Sequence, residues 1–261
     1  MRMEVLNPAI DLDIFFQALK KTKSKVLLLD YDGTLAPFKV ARDEAVPYPG
    51  VVALLNSIIL SPGSRLIIIS GRSVKDVQDL LTLRKSPEIW GSHGWERLKA
   101  DGSYEAFVLE EEMIQGLEEA QNWVKRSDFA NRSEFKHGCV ALHWRGVDDS
   151  EKRLMRGQAL AGWSDIARVS GLEIHEFDGG LELRAPGRNK GESVKKVLSE
   201  TGDAVVSYWG DDITDEDAFR ALGSAGLSVL VNENKRPTNA DIWITPPEEL
   251  LYMLERWKRS L

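Results

Sequence analysis

Leu27-Leu28-Leu29-Asp30-Tyr31-Asp32-Gly33-Thr34 sets an apolar run against two carboxylates, a glycine and a hydroxyl. The run begins at Val26 and is bounded too tightly to be a helix. An uninterrupted apolar stretch of this length fits a strand buried on both faces, as in a parallel sheet covered by helices. Gly33 lets the backbone turn, so both carboxylates fall just past the end of that strand. One carboxylate there can attack as a nucleophile, and a second, two residues on, can deliver and remove a proton at a leaving oxygen. The same residues also read as an Asp-Gly turn closing a hairpin, so the surrounding chain has to decide.

Working outward, Leu66–Ile69 ends on Ser70, Val205–Trp209 ends on Gly210, and Leu227–Val231 repeats the pattern. Helical periodicity over Val51–Leu60, Val74–Leu83 and Glu248–Lys258 separates or follows these runs. The alternation predicts a doubly wound α/β core with a parallel sheet. Ligands of such sheets bind beyond the carboxyl ends of the strands, which brings Asp30, Ser70 and Asp211 to one site.

Between residues 97 and 185 the pattern changes. Cys139-Val140-Ala141-Leu142-His143-Trp144-Arg145 alternates strictly, with Val140, Leu142 and Trp144 on one face. Leu181-Glu182-Leu183-Arg184 alternates likewise, and puts Glu182 and Arg184 on the opposite face from its leucines. Two amphipathic helices accompany them, one carrying Met113, Leu117, Ala120 and Val124, the other Met155, Ala159, Trp163 and Ile166. The expected organisation is a core of residues 1–96 and 186–261 with an α+β subdomain, 97–185, inserted into it.

Gly210-Asp211-Asp212-Ile213-Thr214-Asp215-Glu216-Asp217 brings five acidic groups into eight residues after a buried strand. Hard oxygen ligands in that position suit magnesium. Thr214 and Asp217 also have the spacing of a helix N-terminus, which assigns Glu216 and Asp217 mainly to a structural role. Asp211 and Asp212 precede that start, where adjacent carboxylates repel unless a cation offsets them. Lys190, followed by Gly191 and a helix, is a candidate for holding the nucleophile and phosphoryl oxygens together. Ser70-Gly71-Arg72, between strand and helix, offers a hydroxyl and helix-terminal amides to phosphate.

Composition narrows the field. The chain has 261 residues, 43% hydrophobic and 29% charged, as in soluble globular proteins. A net charge of −7 speaks against a nucleic-acid surface, but not against a small phosphorylated ligand held by local groups or a metal. The single cysteine, Cys139, excludes an internal disulfide and a cysteine-rich zinc site, and fits a reducing compartment. No apolar run reaches the roughly 18–20 residues of a membrane span, and the N-terminus lacks a secretory pattern. A cytoplasmic protein, monomeric by default, is expected.

Taken together, these motifs resemble the haloacid dehalogenase (HAD) superfamily, whose four motifs occur in this order on a Rossmann-like core. Asp30-x-Asp32-x-Thr34 matches the first, Ser70 the second, Lys190 the third, and Asp211-Asp212 with Asp215 the fourth. Receiver domains also use an acidic pair, an acceptor aspartate and a lysine, but their acidic pair comes first. The resemblance implies a phospho-aspartyl intermediate on Asp30 and Asp32 as general acid and base. It further implies a phosphate held among Thr34, Ser70, Gly71 and Arg72. Magnesium would be held by Asp30, the backbone carbonyl of Asp32, and Asp211, with Asp212 or Asp215 as the further carboxylate.

The position of the insertion resembles the C2-type cap of sugar phosphatases, whose caps exclude water and choose the leaving group. Within that group the chain is similar to the trehalose-6-phosphate phosphatases over most of its length. The similarity is carried by Leu29–Leu35, Ser70-Gly71-Arg72, Gly91-Ser92-His93-Gly94, His143-Trp144-Arg145, Glu182-Leu183-Arg184, Lys190-Gly191 and Gly210–Phe219. By this resemblance the substrate is a phosphorylated disaccharide, Lys136, Arg145 and Glu182 hold the sugar, and His93 lies near the junction of core and cap. A companion trehalose-phosphate synthase is the candidate partner. Lys136 is off-register with Arg145 unless a bulge intervenes, and Ala185 stands where the family commonly has proline. Trp95, after His93-Gly94, is a candidate either for sugar stacking or for packing. Related cap-bearing phosphatases acting on sucrose phosphate, a glycosyl-phosphoglycerate or glucosylglycerol phosphate are the nearest alternatives. A phosphomutase and a non-catalytic sugar-phosphate sensor are more distant ones.

Overall fold

The Val26–Leu29 run lies inside a strand, Lys25–Leu29, every residue of which is buried. The computed structural model describes residues 2–177 and 179–261. Along the chain the elements begin β1 (Glu4–Val5), α1 (Leu12–Lys21), β2 (Lys25–Leu29), α2 (Val51–Ile59), β3 (Ser64–Ile69), α3 (Val74–Leu80), β4 (Glu88–Gly91), β5 (Glu96–Leu98) and β6 (Tyr104–Ala106). They continue α4 (Glu111–Arg126), β7 (Ser133–Lys136), β8 (Cys139–His143), α5 (Asp149–Ser170), β9 (Glu173–Phe177) and β10 (Gly180–Arg184). The chain closes with α6 (Lys190–Thr201), β11 (Val205–Gly210), α7 (Asp215–Leu222), β12 (Gly226–Val231), β13 (Ile242–Ile244) and α8 (Glu248–Lys258).

Two compact units form, one from the residues up to Glu105 with Asn189–Leu261, the other from Ala106–Arg188. The first holds a nine-stranded sheet in the order β1-β13-β12-β11-β2-β3-β4-β5-β6. Its strands from β13 to β4 run parallel, whereas β1 is antiparallel to β13 and β5 to β4. The core is built from the apolar residues of β2, β3, β11 and β12 against α1, α2, α3 and α8, with Leu27, Leu29, Leu55, Ile68, Trp209, Val229, Met253 and Trp257 among its members. Chain order reverses between β2 and β11, which pair with Leu29 opposite Trp209. Adjacent strands diverge at such a switch point and leave a crevice beyond their carboxyl ends. Asp30 and Asp211 both enter it.

The second unit has an antiparallel sheet, β7-β8-β10-β9. Opposite Val140 stands Leu183, and opposite Leu142 stands Leu181, so these side chains share the buried face that packs on α4 and α5. Glu182 stands opposite Ala141 on one side and His175 on the other, on the second face.

Local details differ from the periodicity. The helix expected over Val74–Leu83 stops at Leu80, because Leu81 leaves helical backbone geometry (φ −104, ψ 81) and the Arg84 N–H is taken by the Asn56 side chain. The alternating strand ends at His143, and Arg145 lies in the turn that follows. The expected subdomain edge at 97 falls within β5, which pairs with β4 in the large sheet, so the unit boundary lies beyond that hairpin.

Candidate active site

Asp30 leaves β2 with its N–H donated to the Trp209 carbonyl (2.9 Å), which fixes it against the end of β11. Lys190 is the first residue of α6, whose start is capped by the Asn189 side chain accepting from the Glu192 N–H. A Cβ on Gly191 would lie 2.6 Å from the Asp217 carbonyl, so glycine is what lets the first turn of α6 approach α7. From there the buried Lys190 ammonium stands 2.8 Å from both Asp30 Oδ1 and Asp215 Oδ1.

Asp215 organises the acidic loop. Its Oδ1 also accepts from the Tyr208 hydroxyl, and its Oδ2 accepts from the N–H groups of Asp211 and Asp212 (both 3.0 Å). Each carboxylate oxygen has about two acceptor positions, so Asp215 is fully engaged within the protein. Asp212 Oδ1 accepts from the Thr214 N–H (2.7 Å) and Oγ1 (2.6 Å). The expected cap by Thr214 and Asp217 does not form. Thr214 already has helical backbone angles and caps nothing, because its hydroxyl is turned back to Asp212. Glu216 instead accepts from Arg236 and Asn239, and Asp217 pairs with Arg220.

One carboxylate oxygen from each of Asp30, Asp211 and Asp215 lies within 4.8 Å of the others, all three residues being buried. Burial, helped by Asp215 and Asp212, pushes the Asp30 carboxyl up to about 7 in spite of Lys190. Burial and then Asp30, Asp212 and Asp215 raise Asp211 well above the ordinary carboxylate range. Burial disfavours the charge on Lys190, but Asp215 and Asp30 outweigh it and hold the proton firmly. At Asp212, burial is overcome by Lys190 and the bonds from Thr214, and the carboxyl stays below its usual range. A single lysine against this set of buried carboxylates leaves negative charge that protons on Asp30 and Asp211, or a further cation, balance. Clustered oxygen donors fit a hard divalent ion. Gly33 serves the same cluster: its φ is +78°, and a Cβ there would lie 2.1 Å from Asp211 Oδ2.

Asp32 has different partners from Asp30. It forms a two-point ion pair with Arg72, Nε to Oδ2 at 2.6 Å and Nη2 to Oδ1 at 2.7 Å. The Arg72 guanidinium also lies 5.5 Å over the Tyr31 ring. Its N–H donates to Ser70 Oγ (3.1 Å) and its carbonyl accepts from the Ser92 N–H (2.7 Å). Thr34 Oγ1 lies 3.5 Å from Asp30 Oδ2. Ser92 and His93 adopt consecutive left-handed conformations (φ 50° and 56°), strain of the kind that concentrates at functional sites. A Cβ on Gly71 would lie 2.7 Å from His93 Cε1, so Gly71 makes room for that ring. The sequence-predicted Asp30, Asp32, Thr34, Ser70, Gly71, Arg72, His93, Lys190, Asp211, Asp212 and Asp215 are all in the first unit.

Arg236 was not anticipated. Its Nη2 donates to the carbonyls of Asp211 (3.2 Å) and Asp212 (2.7 Å), and Asn232 Nδ2 donates to the same Asp211 carbonyl (3.2 Å). The available signal was position, since both residues follow the carboxyl end of β12, beside β11.

In the second unit, the Lys136 ammonium is 3.0 Å from Glu182 Oε1 and 3.5 Å from Glu134 Oε2, and His143 Nε2 contacts the same Glu134 oxygen at 3.1 Å. Lys136 thus joins Glu182 by reaching across β8 rather than by strand register with Arg145. The Arg145 guanidinium packs by Gly179, where a Cβ would lie 3.1 Å from its Cζ. Trp95, in the first unit, is buried.

A carboxylate and a lysine meeting an acidic loop at the switch point of a parallel sheet, with an antiparallel-sheet unit inserted in the chain, share their fold with a solved phosphatase of the haloalkanoate (HAD) superfamily from Bacteroides thetaiotaomicron (TM-score 0.58 at 18% identity, covering 91% of this chain and 96% of its own). The profile of the Trehalose-phosphatase family matches residues 28–244, and the chain belongs to that family. Trehalose-phosphate phosphatase B of Arabidopsis thaliana is 29% identical over 95% of the chain and 71% of its own length. Trehalose-phosphate phosphatase of Mycobacterium ulcerans is 32% identical over 80% of the chain, which spans 54% of that relative. The solved C-terminal domain of C. albicans trehalose-6-phosphate phosphatase superposes with a TM-score of 0.78 at 20% identity, covering 98% of this chain and 99% of its own.

Proposed function

We propose that the protein hydrolyses trehalose 6-phosphate to trehalose and phosphate, with Asp30 as nucleophile. The observation that carries this is Asp30 itself, placed at the β2–β11 switch point within reach of Lys190 and Asp211 in a chain of the trehalose-phosphatase family. Asp30 Oδ attacks phosphorus as the bond from phosphorus to the sugar oxygen breaks, and Asp32 gives the departing oxygen a proton. In the second half Asp32 takes a proton from water as that water attacks the phosphorus, and Asp30 is released as a carboxylate. Ser70, Thr34 and the amides around Gly71 hold the phosphoryl oxygens, and Lys190 offsets their charge. At an effective dielectric of about 20, two unit charges about 4 Å apart repel by about 4 kcal/mol, so an anionic nucleophile facing a phosphate needs such compensation.

Magnesium is our assignment for the cation, held by Asp30, Asp211 and the Asp32 carbonyl. It supplies Lewis-acid polarisation of the phosphoryl group and charge compensation. Asp215, with its oxygens committed to Lys190, Tyr208 and two amides, and Asp212, bound to Thr214, shape the loop and add to its field. In the inserted unit, Lys136, Glu182 and Arg145 are proposed to bind sugar hydroxyls, with His93 contributing from the core, and the unit to act as a cap. A cytoplasmic enzyme fed by a synthase of trehalose 6-phosphate completes the reading.

The test is phosphate release from trehalose 6-phosphate, sucrose 6-phosphate, a glucosyl-phosphoglycerate and glucosylglycerol phosphate, with magnesium and with a chelator. Trehalose 6-phosphate is expected to give the highest kcat/KM, and only with metal. Equal or faster turnover of another ester would remove trehalose 6-phosphate as the substrate.

A further inference from the structure

We propose that Arg72 is a positioning residue for proton transfer by Asp32, not a ligand of the phosphoryl group. The inference rests on the reading of Asp30 as nucleophile and adds to it a residue that separates the fate of the leaving oxygen from the binding of phosphate.

Three observations carry it. The Arg72 fork is matched to both Asp32 oxygens, at 2.6 and 2.7 Å, which fixes the plane of the carboxyl group as well as its position. Arg72 is itself immobilised, buried with its guanidinium over the Tyr31 ring and its backbone tied to Ser70 and Ser92. Asp32, by contrast, keeps 28% of its side chain exposed, so it is the member of the pair with access to an incoming ester. A guanidinium that offers its Nε and Nη2 to Asp32 has committed that edge of its fork to the carboxylate. The phosphoryl group is left to Lys190, Ser70 and the amides near Gly71.

The proton balance is consistent with this role. A protonated Asp32 keeps one acceptor oxygen for Arg72, and after the proton has gone to the sugar oxygen, both oxygens accept. The fork therefore tightens as charge develops on Asp32 and relaxes when water returns the proton. The interaction is stronger once the transfer is under way than before it, which is the condition for helping the chemical step.

Leaving-group dependence separates this role from phosphate binding. A sugar alkoxide is a poor leaving group and needs the proton, whereas 2,4-dinitrophenolate leaves with little help. In Arg72→Gln, kcat for trehalose 6-phosphate is expected to fall at least about 30-fold further than kcat for 2,4-dinitrophenyl phosphate, less than the roughly 10²–10⁴-fold general acid catalysis supplies because Asp32 itself is still present. In Asp32→Asn, adding Arg72→Gln is expected to lower kcat for the sugar phosphate by less than about twofold, because both changes remove one function. Equal losses on the two esters, no loss on either, or full additivity in the double variant would overturn the proposal. Arg72→Lys keeps the charge without the fork, and the same ratio is read in it if Arg72→Gln does not give the wild-type circular dichroism and melting profile. Asp30→Asn, which should abolish turnover of both esters, tests the underlying reading separately.

Discussion

Burying Asp30, the proposed nucleophile, comes at a cost to the fold. Its carboxyl, ordinarily near 3.8, is pushed to about 7 when no metal balances it, by burial first and neighbouring carboxylates next. The folded chain therefore keeps a proton that the unfolded chain gives up, and stability of the metal-free protein should fall as pH rises from about 4 to about 7. Asp30→Asn should flatten that slope, raise the metal-free melting point at pH 7 by the equivalent of about 1–2 kcal/mol, and reduce turnover at least about 10³-fold. Thermal melts across the pH range with chelator present, and a phosphate-release assay, measure the two effects. A melting point unchanged by the substitution at pH 7 would contradict the strain. Gly33→Ala should cost more than about 1 kcal/mol and weaken metal binding, because a side chain there meets Asp211 and the backbone is left-handed; calorimetric titration with magnesium reads it. Asp30 and Asp211, at strand tips, were legible because a buried run ending in a charge has few purposes, whereas Lys190, at the start of α6, stood out only through its order among the motifs. Arg236 was not, since a guanidinium that binds backbone carbonyls leaves no spacing pattern. Nor was the back-bond from Thr214 to Asp212, which uses the same residue types as the expected cap.

At the scale of elements, the charges of β3, β4, β5 and α6 form one network. Glu88 accepts from Arg65, Arg97 and Trp90, and Glu200 of α6 accepts from Arg65 and Arg97. Arg97 also lies 4.5 Å over the Trp90 ring. The bond from Arg97 in the main, with Arg65, holds the Glu200 carboxyl down to about 2 against its partial burial. That stabilisation is present above the unfolded value of 4.5 and is lost as pH falls toward 2. Glu200→Gln should cost about 1–2 kcal/mol at pH 7 in urea unfolding, and the difference from wild type should shrink below pH 4. A difference independent of pH would point to packing instead. The same network explains why the subdomain edge was expected too early. Glu96-Arg97-Leu98-Lys99 reads as polar surface, but Arg97 is buried by pairing, so β5 joins the large sheet. The parallel strands themselves were plain, because their apolar runs leave no other role, whereas a strand made habitable by ion pairs carries no such mark.

For the molecule as a whole, the acidic cluster read as a metal site ties stability to the ion. Magnesium at about 100 times its dissociation constant should stabilise the native state by about 2.7 kcal/mol, and a chelator should reverse this. In Asp211→Asn the metal-induced rise in melting point should be largely lost while the metal-free melting point holds or rises. A rise equal to that of wild type would place the ion elsewhere. No helix among the described residues is long and apolar enough to cross a membrane. A sheet of nine strands nevertheless has two margins where backbone donors and acceptors invite another chain to pair. One margin is β1, only two residues long, with Glu4 bound by Lys235. The other is β6, three residues long, with Glu105 within it bound by Lys99. Neither offers a long, uncharged template, so this sheet gives a second copy little to extend by edge-to-edge pairing. The parallel strands that set Asp30 and Asp211 in place stay away from both margins.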